Sequence, residues 1–292
     1  MLYSIHHRTT YRYSEPVSLS HHLAHLRPLD LAFQNCRMHS LSISPLPASI
    51  EEDSDYFGNG NVSFVIAQPH RELVIEAMSE VEMRPRERWD SLGILPWHEV
   101  SAEALAASSA EALSAAEFLF PSEDTAGSDL VTGFARESFP EGRPLTAAIA
   151  DLSHRIHRDF TFDANATTIR TSPTEVLRLR RGVCQDFAHL AIACCRSVGL
   201  PARYVSGYLE TLPPNGQPRL VGADASHAWL SVYAGGGRWI DIDPTNDRLA
   251  DTSHIALGYG RDYDDVSPIK GVIHGGGNHS VTVGVDVERR LL

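Results

Sequence analysis

The sequence predicts an α+β protein, with a small β-sandwich at the N-terminus leading into a core of helices and antiparallel strands. That class follows from three features. Residues 1–85 alternate polar and apolar side chains as half-buried strands do. Residues from about 101 turn to helix-forming Ala, Glu, Ser and Leu. Strand patterns return after residue 200, behind an apolar helix. At roughly 150 residues per domain, 292 residues suggest about two domains. The expected division is 1–90 for the β-sandwich, 91–145 for a helical connecting segment packed on the core, and 146–292 for the core with a C-terminal strand.

In chain order, Tyr3, Ile5, His7, Thr9, Tyr11 and Tyr13 share one face of a strand, opposite Ser4, His6, Arg8, Thr10 and Arg12. Leu41 and Ile43 repeat the alternation. Phe57-Gly58-Asn59-Gly60-Asn61 is a turn leading into Val62, Phe64 and Ile66, a hairpin signature. Leu73, Ile75 and Ala77 continue the pattern before Pro85. A helix is expected over 101–119, ended by Phe120-Pro121, and a second over Leu130 to Phe139. A third runs from Leu145 to Phe160, with Ile149, Leu152, Ile156 and Phe160 at helical spacing. Ser172-Pro173-Thr174-Glu175 is a capping box for a fourth, which should stop at Gly182. The fifth begins at Cys184 and ends at Gly199, apolar nearly all round and therefore buried. Strands follow over Ala202 to Leu212, His227 to Tyr233 and Arg238 to Ile242, the last two joined by Gly235-Gly236-Gly237. Val281, Val283, Val285 and Val287 mark one face of a closing strand.

Composition narrows the function. The chain carries 25 Lys+Arg against 37 Asp+Glu, a formal charge of −12, which is not the basic footprint of a nucleic-acid binder. Its longest apolar run, Leu190 to Cys195, is far short of the roughly 18 residues of a membrane span. The N-terminus lacks the basic and apolar regions of a signal peptide, so a cytosolic protein is expected. Lys270 is the sole lysine, which leaves little room for amine nucleophiles. The four cysteines, Cys36, Cys184, Cys194 and Cys195, do not form a disulfide framework.

Cys184 stands apart from the other thiols. At the start of a helix, free backbone N–H groups and the positive dipole end favour a thiolate. Gly182 before it allows a sharp turn and close approach of a substrate. Asp186 in the first helical turn reads as a local cap pointing away from the thiol. A thiolate nucleophile needs a base and a group that orients the base. His227 opens one strand of the expected hairpin, and Asp241 and Asp243 lie on one face of the other, so the alternation leaves either aspartate available as its partner.

Gly182 to Leu190, Gly199 to Tyr208, His227-Ala228-Trp229 and Trp239 to Asn246 resemble the transglutaminase core, and more narrowly the bacterial transglutaminase-like proteins described as candidate cysteine proteases. The resemblance implies a papain-like fold with a catalytic triad of Cys184, His227 and Asp243, the Trp-x-x-x-Asp spacing from Trp239 selecting Asp243. It implies acyl transfer through a thioester on a peptide or small amide substrate, without cofactor. The Cys184 N–H would serve as one oxyanion donor; no motif identifies the second. Cleavage of an amide or isopeptide bond is the expected outcome, with glutamine transamidation onto an amine and a non-catalytic binding module as alternatives. The loop from Thr211 to Ser226 would wall the cleft. Metal binding by His21/His25 or His154/His157 is not expected, since neither pair has a motif glutamate.

Overall fold

The computed structural model describes residues 1–86, 94–211 and 226–290, so nearly all of the loop expected to wall the cleft lies outside the described residues. The strands are β1 (Leu2–Ala24), β2 (Gln34–Ser44), β3 (Ser49–Ser54), β4 (Gly60–Ile66) and β5 (His70–Met83). After them come α1 (Trp97–Ala106), α2 (Ala110–Ala116), α3 (Asp129–Ser138) and α4 (Leu145–Asp159). Next are β6 (Thr161–Phe162), α5 (Pro173–Leu179), β7 (Arg181–Gly182) and α6 (Cys184–Ser197). The chain closes with β8 (Ala202–Leu209), β9 (Ser226–Tyr233), β10 (Trp239–Asp243), β11 (Arg248–Leu249), β12 (His254–Gly260), β13 (Ile269–Gly275) and β14 (His279–Arg290).

The N-terminal domain is a sandwich made from one creased seven-stranded sheet. The first half of β1 lies between β5 and β14, and its second half between β4 and β13. β2 extends the first arm beside β5, and β3 the second beside β4. The ladder breaks at matching places: Ser14–Pro16 within β1, Pro45–Pro47 between β2 and β3, Ala67–Pro69 between β4 and β5, and Gly276–Asn278 between β13 and β14. Proline removes a ladder donor and glycine relaxes the backbone, so the whole sheet folds over along this line. Leu73, Ile75 and Ala77 of one arm then pack with Ala24, Phe64 and Ile66 of the other.

The closing strand, expected with the core, belongs to this sheet: Ile5 pairs with Val287 and Thr9 with Val283 along β1. The alternating valines need an apolar neighbour, and β1 supplies one. The helix expected over 101–119 is split. Ala107 turns to φ 45°, and the Ser109 hydroxyl accepts from the Ala112 N–H to start α2 afresh. α5 stops at Leu179, earlier than Gly182.

The second sheet has the order β11-β10-β9-β8-β12. α6 lies on it as the central element of the main core, where Phe187, Ala188, Leu190, Ala191 and Ile192 meet Tyr204, Leu230, Ile240 and Ile242. Cys194 and Cys195 are fully buried there as core filler. The two domains are joined through a smaller core in which Tyr3, Ile5, Val285 and Val287 cover Tyr208, Ile255 and Leu257. No described helix is long and apolar enough to cross a membrane.

Candidate active site

Cys184 is the first residue of α6. The chain reaches it through β7, which is held by parallel pairing with β6, and through Val183 in an extended conformation. Asp186, one turn into the helix, folds its carboxylate back to accept from the Val183 N–H at 2.7 Å and the Thr167 hydroxyl at 2.6 Å. Burial raises its pKa, and the two donors oppose that rise. It is thus the expected cap. A Cβ on residue 182 would lie 2.6 Å from Asp186 Oδ2, so Gly182 is required by the folded-back cap, a different reason from the sharp turn the sequence suggested.

Cys184 is half-buried, and His227, at 9% exposure, faces it from the start of β9. The antiparallel register runs from Trp239 opposite Tyr233 to Ile242 opposite Leu230, which brings Asp243 and His227 to one end of the hairpin. His227 Nε2 donates to Asp243 Oδ2 at 2.7 Å, leaving Nδ1 for Cys184. Burial disfavours charge on the imidazole, but hydrogen bonds to Asp243 and Cys184 outweigh it and hold its pKa well above the ordinary histidine value.

Asp243 is fully buried and accepts five hydrogen bonds. His227 Nε2, Asn246 Nδ2 at 2.7 Å and His254 Nε2 at 3.2 Å reach Oδ2; the backbone N–H groups of Thr245 at 2.9 Å and Asn246 at 3.2 Å reach Oδ1. Burial alone would raise its pKa, yet the donors from His227, His254 and Asn246 drive it far below the usual carboxylate range. His254 is itself held at Nδ1 by Asp251, 3.2 Å away. Sequence reasoning missed His254, because nothing in the pattern before β12 distinguishes it from the other histidines.

Asp241 serves a different purpose. Arg86 Nη1 donates to its Oδ2 at 2.6 Å, and Trp229 Nε1 approaches at 3.4 Å, so it ties the segment after β5 to the second sheet. Burial would raise its pKa, but Arg86 carries it below the ordinary value. The structure therefore separates the two aspartates that strand alternation could not.

Among the described residues, His227, Asp243 and His254 form the one cluster dense enough to ligate a metal, their ligand atoms lying within 4.8 Å. Those atoms already bond one another. His21 lies on β1, where residues four apart have no helical face to share, and His25 bonds the Ser267 carbonyl. On α4, His154 meets Asp247 at 2.7 Å and His157 the Thr245 carbonyl at 2.9 Å.

A cavity of about 580 Å³ opens over Cys184 and His227, between the two domains. Its floor includes Gln185, Tyr204 and Ser206 of the core, while its far wall is β1 and β14. Burial, with Cys184 close by, pushes the Tyr204 phenol well above its usual pKa and keeps it a neutral hydroxyl. A half-buried thiol, an imidazole beside it and a buried carboxylate behind the imidazole have the geometry of nucleophile, base and orienting group.

Residues 3–82 match the bacterial transglutaminase-like N-terminal region, and residues 133–244 the transglutaminase-like superfamily. An uncharacterized protein of Mycobacterium tuberculosis is 42% identical over 293 residues, spanning 98% of this chain and 92% of that protein. A solved candidate cysteine protease from Cytophaga hutchinsonii superposes with a TM-score of 0.77 at 25% identity, over 99% of this chain and 90% of that one. A shorter stretch of 91 residues is 30% identical to the peptide-N(4)-(N-acetyl-beta-glucosaminyl)asparagine amidase of Gallus gallus, covering 31% of this chain and 12% of that enzyme.

Proposed function

The chain belongs to the transglutaminase-like superfamily and has its cysteine-enzyme fold, and on that premise we propose that it cleaves an amide or isopeptide bond by acyl transfer through Cys184. The observation that carries this reading is the placement of His227 between the Asp243 carboxylate and the Cys184 thiol. The likeness of one stretch to an amidase supports the hydrolytic direction.

In the first step the Cys184 thiolate attacks the carbonyl carbon and forms the carbon–sulfur bond. The carbon–nitrogen bond then breaks, and His227 passes its proton to the departing amine. In the second step His227 takes a proton from water as the water oxygen attacks the thioester, releasing a carboxylic acid and restoring the thiol. Asp243 holds the ring through Nε2, keeps Nδ1 aimed at the sulfur and stabilises the imidazolium. A cytosolic location would keep the thiol reduced.

The test is alkylation by iodoacetamide at about pH 6, followed by peptide mapping, because only an activated thiol reacts quickly there. Selective labelling of Cys184, and loss of amide turnover in Cys184→Ala with an unchanged circular-dichroism melt, is the expected result. Equal labelling of all four cysteines, or none at Cys184, overturns the nucleophile assignment. Added primary amine captured into product in preference to water would assign the second step to transamidation.

A further inference from the structure

One face of the β1–β14 ladder runs without interruption from the interdomain core to the space above Cys184. Its cross-strand pairs share a side of the sheet: Ile5 with Val287, His7 with Val285, Thr9 with Val283, and Tyr11 with Val281. Where the second sheet covers this face the side chains are sealed, with Ile5 at 2%, Val285 at 1% and Val287 at 0% exposure. Where the face overhangs the nucleophile, Val281 and Val283 are 53% and 51% exposed. These valines belong to an inward-facing row and are bare because the cavity lies over them.

Apart from the Cys184–His227 pair, the rest of the described lining carries no charged side chain. Among the described residues of the cavity there is no lysine, arginine, aspartate or glutamate; the polar groups are hydroxyls such as Thr9, Tyr204, Ser206, Ser226 and Tyr263, with the Gln185 amide. His7 adds no charge, since burial lowers its pKa to about 4 and both ring nitrogens are bonded, to Tyr208 and Thr9. A charged substituent laid on the valines would give up part of its hydration and meet no counter-ion among the described residues beyond the Cys184–His227 pair, which is engaged at the acyl carbonyl. The volume is that of a small-molecule site.

Resting on the assignment of Cys184 as nucleophile, we propose that the cavity selects acyl donors whose acyl chain is uncharged and apolar, the chain lying on Val281 and Val283 while its carbonyl meets Cys184. The N-terminal domain and the last strand thereby set the specificity of a thiol that the other domain supplies. Attack by sulfur forms the thioester, the carbon–nitrogen bond breaks, and the amine departs with the proton from His227.

The test uses three p-nitroanilides on the full chain: butyryl, succinyl with its free carboxylate, and 4-trimethylammoniobutyryl. Nitroaniline release and the acyl adduct seen by intact mass are read with and without Cys184→Ala. The butyryl probe is expected to exceed both charged probes in kcat/KM by about tenfold or more, the penalty of one uncompensated charge. Val283→Arg should shift the succinyl-to-butyryl ratio upward by at least about tenfold, and Val283→Asp should do the same for the cationic probe. Val281→Arg serves as the second variant if either fails to keep the wild-type melt. Charged probes turned over as well as butyryl, or ratios unmoved in folded variants, overturn the inference and leave the nucleophile in place. Absence of Cys184-dependent turnover and adduct with all three probes overturns the acyl-transfer reading as well.

Discussion

Acid should loosen the seam between the domains, and His7 is the group that makes the effect measurable. It is 1% exposed, with Nδ1 2.8 Å from the Tyr208 hydroxyl on β8 and Nε2 2.9 Å from Thr9 Oγ1 on its own strand. Burial, with a smaller contribution from His6, lowers its pKa from 6.5 to about 4. In the unfolded chain the imidazole takes up its proton first as pH falls. The stability it contributes is therefore complete above about pH 6.5 and is lost as pH falls toward 4. Integrating between those values gives a loss of about 3 kcal/mol at about pH 4 for this one residue. His7→Gln removes the titration and keeps a side chain able to donate and accept. At neutral pH it should cost about 1 kcal/mol for an imperfect hydrogen bond. Urea denaturation followed by tryptophan fluorescence, at about pH 7 and about pH 4, separates the two effects. The wild type should lose about 3 kcal/mol more over that interval than His7→Gln. His22 and His189, whose pKa values burial also lowers, are present in both proteins and cancel in the comparison. A difference below about 1 kcal/mol would refute the reasoning, because His7 would then be solvated or protonated in the native seam.

Two further substitutions test the site itself. Asp243→Asn removes the carboxylate that helps hold the His227 imidazolium, so the alkaline limb of kcat/KM for Cys184-dependent anilide turnover, where His227 must donate a proton to the departing amine, should move to lower pH; a limb that stays in place would show that Cys184 alone sets the histidine's charge. Gly182→Ala places a methyl group against the Asp186 carboxylate, and should cost about 1–3 kcal/mol in urea denaturation and slow Cys184 alkylation; wild-type behaviour in both would mean the cap has room to move.

The residues of the candidate site could be singled out because their signals are local. Cys184 stands two residues after a glycine at the head of an apolar helix, His227 lies at the start of a strand, and a triple-glycine turn returns the chain to Asp243, all within 60 residues of one another. Alternation could not choose between Asp241 and Asp243, since both point the same way; the Trp-x-x-x-Asp spacing of the resembling family selected Asp243, while the Arg86 contact that occupies Asp241 comes from the segment after β5 and shows in no local pattern. His254 was hidden for the same reason. Its partner Asp243 lies eleven residues upstream, but the contact depends on β12 crossing to the far edge of the sheet beside β8. The break at Ala107 shows how little a composition-based helix boundary weighs against a single serine cap.

The strand face that begins at Tyr3 reads as one repeating pattern in the sequence and has three distinct environments in the structure. Tyr3 and Ile5 lie in the interdomain core, His7, Thr9 and Tyr11 wall the cavity, and Tyr13 and Val17, on either side of the crease, enter the sandwich core. A period-2 pattern states that a face is covered and is silent about what covers it. The same holds for β14, where Val287 and Val285 are sealed while Val283 and Val281 are bare one and two pairs further along. The transition between those states falls at the edge of β8, where Tyr208 ends the contact between domains and Ser206 begins the cavity. The cavity thus lies where the two surfaces part, with Tyr204 and Ser206 of β8 as its floor and the valines of β14 as its far wall beside the thiol. A core lacking β1 and β14 would retain Cys184, His227 and Asp243, but would leave Tyr208, Ile255 and Leu257 open to water and the cavity beside Cys184 without its far wall. The β-domain therefore contributes both to the stability of the second sheet and to the boundary of the candidate site, through neighbouring residues of one strand.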